Sequence, residues 1–144
     1  MSRARPIRRP TVLLFDVDGT LLSAGGAGRR ALARAFAAEL GHGDVIERID
    51  LRGMTDRAVF REALTAAGVC PDPAHFARLA ERYLANLVEE LERTTAFAVL
   101  PGVREVLAAT RARPDVAVGL GTGNLERGAR LKLARGGLDA AFAF

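Results

Sequence analysis

Tryptophan is missing from this sequence, and cysteine, tyrosine and lysine each occur once. With Cys70 alone, no intramolecular disulfide can form, which fits a reduced, cytoplasmic setting. No stretch approaches the roughly 18 uninterrupted apolar residues that a spanning helix needs, so no membrane segment is predicted. Residues 1–10 are basic but run straight into an apolar segment, without the apolar region and small-residue cleavage site of a secretory signal, and read as a frayed leader. Aromatic-basic interleaving of the kind that stacks bases is also lacking. Beyond the leader the arginines stand among glutamates along helical stretches, so the net charge of +4 reads as solvated helix faces and nucleic acid is not an expected partner.

What is present in quantity is apolar. Hydrophobic residues make up 49% of 144, enough for one ordinary domain or a small core with an inserted subdomain. Thr11 to Phe15 is an apolar, β-branched run behind Pro10, the pattern of a strand in the middle of a parallel sheet covered on both faces. A glycine-rich segment, Gly25 to Gly28, leads into a helix over about Arg29 to Leu40, which Gly41 closes. A loop through Asp50-Leu51-Arg52-Gly53-Met54-Thr55 precedes a second helix, Asp56 to Ala67, capped by Thr55 or Asp56. Asp72-Pro73 opens a third, running to about Arg93. Its apolar stripe, Phe76 through Val88 to Leu91, suits core packing better than a ligand site. A short helix follows Pro101-Gly102. A second strand spans Val116 to Leu120, a helix runs from about Leu125 to Arg135, and the closing A-A-F-A-F reads as the start of a third strand. The order predicts an α/β fold, a Rossmann-like parallel sheet core interrupted by a helical insertion, with no internal repeat.

Two carboxylates, Asp16 and Asp18, stand at i and i+2 just beyond the first strand, at the carboxyl edge where open α/β sheets bind ligands. That placement suits phosphoryl transfer. Asp16 can attack phosphorus as a covalent nucleophile, and Asp18 can protonate the leaving oxygen and later activate water. Mg²⁺ is the expected cofactor, because a small hard cation binds through one or two carboxylates plus substrate phosphate and screens the repulsion between two anions; Asp16 and Asp18 are its candidate ligands. Asp-Gly is also a common turn dipeptide, so a plain hairpin turn competes with this reading. A calcium loop does not, since its glycine would stand sixth and here it stands fourth. After the second strand, Thr122, Gly123 and Asn124 form a candidate phosphate-binding turn, with the Thr122 hydroxyl and the amides that follow aimed at a phosphoryl oxygen and a helix N-terminus behind them. A dinucleotide-binding turn would need glycine where Asn124 or Glu126 stands. Asn124 is also read as the N-cap of the following helix.

The full string Phe15-Asp16-Val17-Asp18-Gly19-Thr20-Leu21 resembles the first motif of the haloacid dehalogenase superfamily of phosphate-handling hydrolases, and Gly119 to Asn124 is similar, more loosely, to its second. The resemblance implies an aspartyl-phosphate mechanism acting on a small phosphorylated metabolite. It also implies a layout of a basic leader (1–10), an α/β core (11–22 and 101–144) and a helical cap (23–100). Arg52-Gly53-Met54-Thr55-Asp56 resembles a cap loop of phosphoglycolate-phosphatase-like members, although a single loop arginine is more simply solvated or ion-paired.

The superfamily's third motif is a lysine or arginine that neutralises the phosphoryl group. Lys132 lies about eight residues past Asn124, roughly 12 Å of axial rise, which argues for a solvent-facing lysine instead. The fourth, acidic motif has no counterpart before Phe144. The expectation is therefore a core incomplete at its C-terminus, as in a truncated relative, with an unpaired apolar edge on the first strand that invites association. A catalytically impaired fragment or phosphate-binding module stands as the alternative to an active phosphatase.

Overall fold

A computed structural model describes residues 10–41 and 43–142. The expected leader lies, Pro10 apart, outside the described residues. Two strands, β1 (Thr11–Phe15) and β4 (Val116–Leu120), pair in parallel with Thr11 opposite Val116 and Phe15 opposite Leu120. Both fall where the apolar runs placed them. Their parallel pairing needs a long crossover, which the residues between them supply.

That crossover contains a feature too short for any periodicity to announce. Leu22–Ser23 (β2) pairs antiparallel with Ala98–Val99 (β3), a two-residue ribbon where the chain leaves the sheet and returns to it. Between its halves lie α1 (Ala27–Leu40), a 3₁₀ turn (Asp44–Arg48), α2 (Asp56–Ala66) and α3 (Pro73–Arg93). No local pattern announces the 3₁₀ turn, which buries Val45 and Ile46. Local capping follows the sequence closely: Thr55 Oγ1 accepts from Ala58 N at 3.2 Å, and Asp72 Oδ1 from His75 N at 2.8 Å.

The helical layer is held by an aromatic cluster in which the Phe60 ring meets Phe36 edge-on at 6.2 Å and Tyr83 at 6.1 Å. All three are essentially inaccessible, and burying each contributes about 1.5–3 kcal/mol. Leu79, Leu84, Leu87 and Leu91 complete the α3 stripe, but Val88, counted in that stripe, is 40% exposed. Its place on the buried face is taken in part by Glu90, which accepts from Arg30 Nε at 2.7 Å and Arg34 Nη1 at 3.0 Å on α1. These arginines hold the Glu90 carboxyl below its ordinary value against the opposing effect of burial.

On the other side of the ribbon, α4 (Val103–Arg111) packs on β4, and α5 (Glu126–Arg135) follows it. Two expectations are corrected here. The final residues do not start a strand at Ala140. Asp139–Ala141 is a 3₁₀ turn, Phe142 alone has extended dihedrals, and residues 143–144 lie outside the described part. The turn is fixed by Arg130, which reaches Asp139 Oδ1 and Phe142 O, and by Phe142 packing edge-on against Phe15. Nor is β1 covered on both faces. Among the described residues its one hydrogen-bonded neighbour is β4, and Val12 and Leu14, which share a face, are 58% and 61% exposed. Among the described residues the second edge of this strand is unpaired, as expected.

Candidate active site

The carboxyl ends of β1 and β4 bring the two sequence motifs together. Gly121 N donates to Phe15 O at 2.9 Å, one step beyond the strand ladder, so Asp16 stands beside Gly121 and Thr122. Past Asp16 the chain turns sharply: Gly19 adopts a positive φ of 79°, and Leu21 N and Leu22 N both donate to Val17 O. This turn, rather than a hairpin into a neighbouring strand of the main sheet, presents Asp18 to the same cleft. Asp16, Asp18, Thr122, Gly123 and Asn124 all line a single cavity of about 920 Å³, with Leu32, Leu51, Met54, Val59 and Tyr83 forming its less polar wall.

Within that cavity Asn124 ties the motifs to each other. Its Nδ2 donates to Asp18 Oδ2 at 2.8 Å and to Thr122 Oγ1 at 2.8 Å, while its backbone N also donates to Thr122 Oγ1 at 3.3 Å. Thr122 Oγ1 thus accepts twice, and its own O–H remains as a donor toward the cleft. Asn124 does not cap α5. The residue at that position is Leu125, whose N–H is taken by Asp56 Oδ2 at 2.7 Å.

Lys132 corrects the solvent-facing reading. Its side chain is 5% exposed, and Nζ donates to Asp18 Oδ2 at 2.6 Å and to Asn124 Oδ1 at 2.5 Å. From axial rise alone, an anion at the tip of α5 lies out of reach of Lys132. A helical side chain slants toward the N-terminus, so the long lysine stem reaches back to the Asp18 carboxylate. One signal was available in the sequence. Lys132 is four residues after Gly128 and next to Leu133, among positions that bury, and it is the only lysine in an arginine-rich chain.

Asp56 was read only as a cap for α2, a task that Thr55 performs. It joins α2 to the turn after β4: Asp56 N donates to Gly123 O at 2.8 Å as its carboxylate receives Leu125 N. A Cβ on Gly123 would stand 2.8 Å from Met54 O and 3.0 Å from Thr55 Cα, so this close approach requires glycine. Burial pushes the Asp56 carboxyl upward, the Leu125 N–H and Lys132 pull it back, and the charge of Asp18 adds to the rise. Arg52 lies on the rim, 91% exposed and in a forked ion pair with Asp50.

Two carboxylates at one cavity, with both bonds to Asp18 falling on Oδ2 and Oδ1 left open, suit Mg²⁺, which keeps water and takes its remaining ligands from phosphate. Among the described residues no group of three or more His, Cys, Asp or Glu could hold a metal by itself.

A family model for haloacid dehalogenase-like hydrolases matches residues 10–144. No curated protein matches the chain. Among solved structures, CbbY from Rhodobacter sphaeroides in complex with phosphate is 22% identical with a TM-score of 0.67, covering 92% of this chain and 61% of its own. A predicted phosphoglycolate phosphatase from Haemophilus somnus 129PT is 17% identical with a TM-score of 0.61, over 94% and 60%. The HAD-hydrolase YfnB from Bacillus subtilis, bound to magnesium, is 18% identical with a TM-score of 0.52, over 94% and 64%. These are likenesses of fold, and the chain spans less than two thirds of the length of each.

Proposed function

Because the chain belongs to the haloacid dehalogenase-like hydrolase family, we propose that its cleft hydrolyses phosphate monoesters of small metabolites through an aspartyl-phosphate on Asp16. The observation that carries this is the convergence on one cavity of two carboxylates, a free hydroxyl donor and a buried ammonium. In the first step an Asp16 oxygen attacks phosphorus, the bond to the leaving oxygen breaks, and Asp18 gives that oxygen a proton. In the second, a water attacks the phosphorus of the aspartyl-phosphate and loses its proton to Asp18, which releases phosphate and restores the Asp16 carboxylate. The Thr122 O–H and the amides at Gly123 and Asn124 bind the phosphoryl oxygens. Lys132 neutralises their charge and holds Asp18 in place.

Mg²⁺, carried by Asp16 and Asp18, supplies the charge that lets an anionic nucleophile approach an anionic phosphoryl group. Residues 23–100 form the cap and 11–22 with 101–144 the core, a division supported by the position of the β2–β3 ribbon. A single cysteine, the free and exposed Cys70, suits a cytoplasmic protein.

Hydrolysis of a generic aryl phosphate tests the reading. Turnover that requires Mg²⁺ and disappears in Asp16→Asn is expected, and a folded chain that shows none refutes it. The alternative, a phosphate-binding module without turnover, predicts phosphate binding with no hydrolysis.

A further inference from the structure

Tyr83 is the one tyrosine of the chain, set midway along α3, and its ring is buried to 1% exposure against Phe60. A phenol so placed needs a partner for its O–H. Among the described residues none is hydrogen-bonded to it, although it lines the same cavity as Asp16 and Asp18.

Its surroundings can be gauged from two glycines on neighbouring helices. On α5, a Cβ at Gly128 would stand in ordinary contact with Tyr83 Cε1 at 3.6 Å, so α3 and α5 pack directly on each other here. Lys132 stands one turn further along the same face of α5. On α1, a Cβ at Gly28 would meet Lys132 Nζ at 3.8 Å and the Tyr83 hydroxyl at 3.9 Å. Three helices thus deliver the phenol and the ammonium to neighbouring points on the cavity wall. Burial raises the phenol well above its ordinary pKa, and the charges of Asp56 and Asp18 raise it further, so the hydroxyl keeps its proton and can serve as a donor.

We infer that Tyr83 is a phosphate-contacting residue, donating a hydrogen bond from the cap side to an oxygen of the phosphoryl group that Lys132 neutralises. This rests on the phosphate-handling function proposed above. It adds a neutral donor to the cationic one: the phenol selects for an acceptor oxygen at its tip without bringing a second charge into the cavity, and an unmatched ligand leaves it unpaired.

Calorimetric titration with inorganic phosphate in Mg²⁺ buffer tests this on wild type, Tyr83→Phe and Lys132→Met. Tyr83→Phe keeps the ring against Phe60, so an unchanged melting temperature with phosphate binding about tenfold weaker is expected. If wild type binds phosphate, Lys132→Met loses it and Tyr83→Phe binds as wild type does, this inference falls while the proposed function stands. Wild type that binds no phosphate overturns both. Should Tyr83→Phe not fold, wild type still decides the matter, because with no tryptophan its tyrosine emission reports on Tyr83 alone. Phosphate is expected to change that emission, and emission unmoved at saturating phosphate overturns the contact.

Discussion

The ion pair between Lys132 and Asp18 is buried at one end only, and this predicts an asymmetric response to losing either partner. The Lys132 side chain is 5% exposed and that of Asp18 46%. Lys132→Met keeps the aliphatic stem and removes the ammonium. Asp18, half in solvent, then recovers hydration, so stability should change by no more than about 1 kcal/mol, a shift in melting temperature within about 4 °C. Asp18→Ala does the opposite and strands an ammonium in the interior. Breaking a fully buried pair costs about 3–5 kcal/mol. Here solvent already screens the Asp18 end and Asn124 Oδ1 still accepts from Nζ, which reduces the figure to about 2 kcal/mol, or about 8 °C. Thermal melts at neutral pH and low salt, followed by circular dichroism, measure both variants, and phosphate titration measures the function. Lys132→Met should lose phosphate binding while remaining folded. A Lys132→Met melting temperature that falls as far as that of Asp18→Ala would refute the reasoning, because the lysine would then be holding the fold rather than awaiting an anion.

Three further outcomes follow from the same geometry. Gly123→Ala forces a Cβ against backbone atoms of Met54 and Thr55, so it should destabilise by about 1–3 kcal/mol and cut aryl phosphate turnover, read by melts and initial rates. Glu39 and Glu90 are held below their ordinary 4.5 by hydrogen bonds from Arg78 with Arg82 and from Arg30 with Arg34, so their contribution is fully present above that value and is lost as pH falls through their lowered folded values. Asp50 and Asp72 are lowered in the same way by hydrogen bonds from Arg52 and His75, whereas Asp56, raised by burial, favours the fold in acid, which leaves four groups against one; melting temperature should drop below about pH 4.5, and less steeply in Glu90→Gln. Leu14→Lys places a charge on the exposed face of β1, where it should suppress self-association in sedimentation runs with stability changed by no more than about 0.5 kcal/mol; a wild type monomeric at every concentration would remove the premise.

Local chemistry made much of the molecule legible in advance. Thr11–Phe15 and Val116–Leu120 form strands where uninterrupted apolar runs placed them, and Thr55 and Asp72 cap helices because their side chains bond amides only three residues away. The pairing of Asp16 and Asp18 at a strand end was equally readable, since alternation along the chain and a turn at Gly19 decide it. The errors lie where a neighbour from far along the chain intervenes. The closing residues have strand propensity, yet Arg130 and Phe15 hold them as a turn before Phe142 extends.

The cavity wall shows the same division more sharply. By itself the sequence determined which residue types end the two strands, because strand pattern, turn glycines and caps are properties of a few consecutive residues. Only the tertiary structure decided that Lys132 turns inward to Asp18 across 114 positions, that Asp56 joins α2 to the Gly123 turn, and that Tyr83 meets the cavity. Each depends on how closely elements distant in sequence approach, and at Gly123 the Met54 and Thr55 backbones come so near that only a residue without a side chain fits, a constraint that exists only once the opposing surface is in place.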